Sequence, residues 1–253
     1  MESTELMTMG RSVLRAMALL ALVLPYSAGA QELQQSILAG DRTTAARLIA
    51  ASGDLTGQTD LGTPLHVAAL MDDAGTARLL IEHGAPLDAR TEGYRMTPLH
   101  IAASYGKPQV AELLIERGAA LEARELSGRT PLILAVQSGA ETVVRLLLEH
   151  GAEINVDSVK CETPLALAIA RNSVALAAML LDHGAVAESI YIGSAPPLVE
   201  AARIGNPEMI TLLMRHGADA NAPDDAGQSP LAAAVAMGHD AAAALLRSYG
   251  ARG

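Results

Sequence analysis

Thr63-Pro64-Leu65-His66 and Thr97-Pro98-Leu99-His100 are the same four residues, 34 positions apart. The marker returns as Thr130-Pro131-Leu132 and Thr163-Pro164-Leu165, then in degraded form as Pro196-Pro197-Leu198 and Ser229-Pro230-Leu231, at steps of 33. A second marker keeps phase with it: Glu82-His83-Gly84-Ala85, Glu116-Arg117-Gly118-Ala119, Glu149-His150-Gly151-Ala152, Asp182-His183-Gly184-Ala185 and Arg215-His216-Gly217-Ala218. Two markers locked in phase over four intervals define an internal repeat, and a period of this size indicates stacked supersecondary units.

Each unit can be read residue by residue. Thr or Ser before Pro is a helix N-cap, and Pro at the first helical position has no N–H to lose. A short helix follows, such as Pro98 to Tyr105, ending at Gly106. Gly139, Gly205 and Gly238 hold the same place, and Asn172 fits it because Asn tolerates the left-handed conformation. A second helix, with the apolar spacing Val143, Val144, Leu146, Leu147, stops at the Gly of the second marker. A polar stretch such as Glu122 to Arg129, with a turn at Ser127-Gly128, leads to the next unit. The pairs Ala68-Ala69, Ala102-Ala103 and Ala201-Ala202 let neighbouring units approach closely.

This pattern resembles the ankyrin repeat family, whose signature is T-P-L-H-x-A on a 33-residue period. The resemblance covers residues 32–253 and implies an all-α solenoid of paired antiparallel helices with hairpin loops. We expect an ankyrin repeat domain over 31–253: an N-terminal cap at 31–59 and six repeats near 60–92, 93–126, 127–159, 160–192, 193–225 and 226–253. Leu33 to Ser52 lack the Thr-Pro marker and read as a second-helix pattern through Leu38, Ala45, Leu48 and Ile49. The last unit, ending Leu245 to Gly250, is expected to cap the far end, where a polar outer face is needed. Three departures stand out. Glu200 occupies the place of Val67, Ile101, Leu134 and Leu167, so it either faces solvent or is a buried acid. Cys161 stands where Gly128 and Gly227 stand, and the uncharged loop Ser189 to Ser194 is expected to be the least regular part.

Composition agrees with this reading and excludes other classes. The 253 residues are half hydrophobic, yet include no Phe, no Trp and only five Tyr. A core without large aromatics favours thin, closely packed layers of Leu, Ile, Val, Met and Ala. With a net charge of -10 and few stacking platforms, the chain is a poor partner for nucleic acid. A single cysteine, Cys161, excludes an internal disulfide framework and any multi-cysteine metal centre.

Residues 1–30 read as a secretory leader. Arg11 and Arg15 precede the apolar run Ala16 to Leu24, Pro25 breaks it, and Ala28-Gly29-Ala30 has the small residues of a cleavage site. Cleavage is expected after Ala30. Nine apolar residues are too few to span a bilayer, which needs about 20. The expected location is therefore the bacterial periplasm or the exterior, with no membrane attachment after cleavage. Glu2 and Glu5 are unusual in a leader and leave Met1, Met7 and Met9 open as starts.

Chemistry is sought first among the seven histidines. His83, His150, His183 and His216 form a ladder, but stacked helices lie ~8–10 Å apart and zinc ligands sit ~2 Å from their ion. Equivalent histidines of adjacent units are thus poorly placed to share a metal, whereas a His in the last turn favours the negative helix end. The family resemblance implies that His66 and His100 link backbone groups of adjacent loops. The chain carries no H-E-x-x-H, G-x-S-x-G or G-x-x-x-x-G-K-[ST]. Asp72-Asp73 and Asp224-Asp225 adjoin turns, where carboxylates cap or solvate. We expect no enzyme activity, no metal and no cofactor.

Aligned units place the ends of the first helices and the loop tips on one surface, and there we expect a protein partner. The residues assigned to it are Tyr94, Arg95, Tyr105, Leu126, Arg129, Gln137, Lys160, Arg171, Tyr191 and Arg203. Tyr and Arg are the types enriched at interface hot spots. The second helices carry Glu82, Glu112, Glu116, Glu141, Glu149, Asp182 and Glu208, an acidic back. The expected function is a monomeric, non-enzymatic scaffold binding another protein, such as an accessory or protective factor for a periplasmic enzyme. The alternatives are an inhibitor or immunity-type binder of a toxin or hydrolase, or a histidine-based metal or small-ligand binder.

Overall fold

The computed structural model describes residues 28–51, 54–159, 162–188 and 195–252. The leader through Ser27, the whole 189–194 loop with Tyr191, and the pair Lys160 and Cys161 lie outside the described residues.

Fourteen helices and no strand occur among the described residues. They form two units. The first, within Met1–Ala152, contains α1 (Ala28–Ala39), α2 (Arg42–Ala50), α3 (Pro64–Met71), α4 (Ala74–Glu82), α5 (Pro98–Ser104), α6 (Pro108–Glu116), α7 (Pro131–Ser138) and α8 (Glu141–Glu149). The second, Glu153–Gly253, contains α9 (Pro164–Ala170), α10 (Val174–Asp182), α11 (Pro197–Ile204), α12 (Pro207–Arg215), α13 (Pro230–Ala236) and α14 (Asp240–Ser248). Within each unit consecutive helices pair, first helices stack on first helices, and second helices stack on second helices.

The expected caps form. The hydroxyls of Thr97, Thr130, Thr163 and Ser229 accept from the backbone N–H three residues on, with Pro at the first helical turn. Gly139, Gly205 and Gly238 adopt positive φ after their first helices, and Asn172 does so with φ 54°. Asp72, in the same place after α3, is left-handed too, with φ 55°.

Packing follows the layers anticipated from composition. Ala68, Ala69, Ala102, Ala103, Ala201 and Ala202 are fully buried, so first helices meet closely. The largest fully buried side chains are all Leu or Ile, including Leu65, Leu99, Leu132 and Leu147. Burying each contributes ~1.5–3 kcal/mol relative to exposure. On α8 the stripe Val143, Val144, Leu147 and Leu148 is buried while Glu141, Arg145 and Glu149 face water, the arrangement of an amphipathic surface helix.

The N-terminal cap is a complete helix pair, not a lone second helix. Aligning Gly40 with Gly106 puts Gln34 in the place of His100. The Gln34 amide donates to the carbonyl of Gly62 at 2.9 Å and also receives the Thr59 hydroxyl on its oxygen. The helix starts before the expected cleavage point: Ala28 and Gly29 are exposed in its first turn, and Ala30 is buried. The far end also differs from expectation. Val235 is 53% exposed and Met237 59%, whereas Ala69, Ala103, Val136, Ile169 and Ala202, at the register of Val235, are buried. These two apolar side chains are exposed because among the described residues no further helix pair covers α13.

Candidate protein-binding surface

The loops of the first unit are held from one repeat to the next by the two motif histidines. The Thr97 backbone N–H donates to Nδ1 of His100 at 3.1 Å, which makes Nδ1 the acceptor. Nε2 therefore carries the proton and donates to the Arg129 carbonyl at 3.2 Å. His66 repeats the arrangement with Thr63 N–H at 3.1 Å and the Met96 carbonyl at 2.9 Å. Burial disfavours the imidazolium and pushes both histidines down to about 4. They are neutral struts that set the height of successive loop tips.

The ladder histidines work differently. Nδ1 of His83, His150 and His183 lies 2.8, 2.9 and 2.8 Å from the carbonyl four residues before it, so each closes the end of its own helix. His216 instead faces Asp182 at 3.6 Å. No group of three or more potential ligands assembles among the described residues. Three of the four paired aspartates accept backbone N–H groups at caps or turns. Asp73 accepts from Thr76 at the start of α4, Asp72 accepts from Val110 N–H at 3.0 Å, and Asp224 accepts from Ala226 and Gln228.

On the tips of the first unit, Tyr94 is 55% and Leu126 61% exposed. The Leu126 N–H donates to the Tyr94 carbonyl at 2.9 Å, joining the two tips. Arg95 is exposed and holds φ 57°, a left-handed backbone that is uncommon without glycine. Tyr105, at the end of α5, is half-buried, and that burial raises its phenol pKa. Arg129 and Gln137 are joined, with Arg129 Nη1 donating to Gln137 Oε1 at 3.0 Å.

Arg129 is committed to its own loop. Its Nε donates to Glu125 Oε1 at 3.0 Å, and the Glu125 side chain is only 2% exposed. Burial alone raises the Glu125 pKa, but donation from Ser127, from the Arg129 side chain and from the Arg129 backbone outweighs it and holds the carboxyl below the usual range.

In the second unit Arg203 is similarly engaged. It donates to Asp224 and to Gln228 Oε1 at 3.0 Å, and meets Glu200 at 3.5 Å. Glu200 is thereby placed partly in water, not in the core. Arg171 is exposed at the end of α9. The positions expected at Lys160 and Tyr191 fall outside the described residues.

Sequence reading missed Arg90, Arg124 and Val159. Arg90 Nη1 donates to the Arg124 carbonyl at 2.7 Å and to that of Arg95 at 3.3 Å, and Arg124 Nη1 donates to Gly128 O at 2.9 Å. Both arginines stand six residues after the Gly of the second marker, a coincidence visible in the sequence. Val159 is 77% exposed and, like Leu126, precedes its marker Thr by four residues.

The second helices present the opposite chemistry. Glu82, Glu112, Glu116, Glu141, Glu149, Asp182 and Glu208 are all exposed.

Sequence profiles described as "Ankyrin repeats (3 copies)" match residues 120–191 and 192–252, "Ankyrin repeats (many copies)" matches 80–135, and "Ankyrin repeat" matches 60–92. The chain belongs to the ankyrin repeat family. Among solved structures it is similar to the ankyrin repeat domain of Bcl-3, a member of the IkappaB protein family, at 30% identity and TM-score 0.76. That match covers 85% of this chain and 97% of the other. An ankyrin repeat domain from Acinetobacter baumannii AYE matches at 29% identity and TM-score 0.70, covering 75% of this chain and 98% of that one. No curated protein matches the sequence. Ankyrin repeats generally mediate protein–protein interaction and are typically non-enzymatic modules. With 532 solved chains matching, the likeness identifies a fold but selects no partner. No described helix is long and apolar enough to cross a membrane.

Proposed function

We propose that this ankyrin repeat protein is a monomeric, non-enzymatic scaffold of the bacterial periplasm. It holds another protein against its loop tips and first-helix ends, as an accessory or protective factor for a periplasmic enzyme. The observation that carries the reading is the asymmetry of the first unit: exposed Tyr94, Arg95 and Leu126 on the tips, exposed carboxylates on α4, α6 and α8. Apolar side chains held in water on rigid loops are anchors for a partner, whereas a solvated acidic face serves solubility. Arg11, Arg15, the run Ala16 to Leu24 and Ala28-Gly29-Ala30 support export.

Affinity capture from periplasmic extract, using the chain from Gln31 onward, tests the reading. The expected result is one dominant captured protein whose retention is lost with Tyr94→Ala and Leu126→Ala. Recovery of the protein from the cytoplasm with residues 1–30 intact contradicts the periplasmic assignment, and a clean column contradicts the binding role.

A further inference from the structure

We infer that the two joined loop tips of the first unit form a preorganised platform for a partner segment that presents an apolar side chain beside carboxylates. This rests on the reading of the chain as a protein binder and narrows it to one place and one chemistry.

Three observations converge there. Tyr94 and Leu126, on successive tips, are both more than half exposed, and the Leu126 N–H donates to the Tyr94 carbonyl at 2.9 Å. The two apolar side chains are therefore carried on one hydrogen-bonded frame, not on independent loops. That frame is braced from beneath: Arg90 bridges the Arg124 and Arg95 carbonyls, and buried Glu125 accepts from the Ser127 and Arg129 N–H groups. Loops already ordered give up little entropy on binding. Arg95 completes the edge, exposed and in a left-handed backbone uncommon for a residue other than glycine.

Charge selects the partner. Residues 90–97 and 124–130 contain four arginines against two glutamates, in a chain whose net charge is -10. Arg129 is paired with Glu125, which leaves Arg90, Arg95 and Arg124 against exposed Glu92, a net positive edge. Guanidinium pairs with carboxylates in planar, bidentate geometry, and an acidic partner is steered toward the tips and away from the acidic second helices. A nucleic acid strand offers negative charge as well, but its repeated phosphates would meet the repulsion of the rest of the chain.

Selection of a phage-displayed random peptide library on the chain from Ala28 onward tests this. The expected winners carry an aromatic or aliphatic residue flanked by Asp or Glu. A synthetic peptide of that sequence should lose at least tenfold in affinity with Tyr94→Ala and with Arg95→Glu, lose affinity as salt rises, and keep it with Glu112→Ala. Circular dichroism confirms that each variant is folded. Winners lacking acidic residues, a library yielding no binder, Tyr94→Ala or Arg95→Glu binding the peptide as tightly as the unsubstituted chain, or tighter binding of a thymidine oligonucleotide than of any peptide would each overturn the inference. Peptides whose affinity falls instead with Arg171→Ala overturn the platform yet leave the protein-binding function standing. Failure to capture any periplasmic protein overturns that function itself.

Discussion

Arg129 Nε lies 3.0 Å from Glu125 Oε1, and this pair fastens the loop whose tip carries Leu126. An arginine that resembles a contact residue in the sequence is a structural clamp in the fold. Removing the buried carboxylate leaves a guanidinium and two backbone N–H groups without their acceptor. Glu125→Ala should therefore lower stability by about 2–4 kcal/mol, read by urea denaturation. A loss below about 0.5 kcal/mol, the level of an ordinary surface change, contradicts the clamp.

The motif histidines give the protein a defined acid sensitivity. His66 and His100 titrate at about 4 in the folded chain, against 6.5 when exposed. Between those values the unfolded chain binds more protons, so stability is full above pH 6.5 and falls as the pH drops toward 4. Each histidine accounts for about 3 kcal/mol at the full extent of that shift. Gln34 makes the equivalent hydrogen bond without titrating. Accordingly His100→Gln should flatten the stability profile between pH 6.5 and 4 by one proton's share, and an unchanged slope would count against the buried neutral imidazole.

Asp72 performs two tasks at one position. Its backbone is left-handed, and its carboxylate accepts from Val110 N–H at the start of α6, whose own N-cap, Lys107, makes no side-chain cap. Asp72→Asn should be nearly neutral, because Asn tolerates the conformation and keeps an acceptor. Asp72→Ala should cost about 1–2 kcal/mol through lost capping and added strain, with Asp72→Gly in between. Equal melting temperatures for the Ala and Asn variants would refute the inter-repeat cap.

Ser104, buried near the end of α5, has a hydroxyl with no hydrogen-bond partner. Ala removes that orphaned group and is the better helix former. Ser104→Ala should raise stability by about 1 kcal/mol, and a lower melting temperature would show that the hydroxyl is satisfied.

How much of this was legible in the sequence differs from element to element. The period, the Thr-Pro caps, the glycines after first helices and the Ala layers are local or strictly periodic, so they read directly. The first pair hid itself because Gln31-Glu32 replaces Thr-Pro, leaving only Gly40-Asp41 and the amide of Gln34 to betray its register. Arg129 and Arg203 read as contact residues in the sequence, but their engagement with Glu125 and Asp224 depends on how each loop curls back on itself. Spacing alone does not carry that information. The brace made by Arg90 and Arg124 was equally hidden, because its acceptors are backbone carbonyls, which any residue supplies.

The proposed function depends on which face of the first unit meets the partner. The decisive measurement is the affinity of the captured periplasmic protein for four variants: Tyr94→Ala and Leu126→Ala on the tips, Glu112→Ala and Glu141→Ala on the second helices. The account predicts losses of about 1–3 kcal/mol for each tip variant and no measurable change for either second-helix variant. Larger losses from Glu112→Ala or Glu141→Ala than from the tips would contradict it.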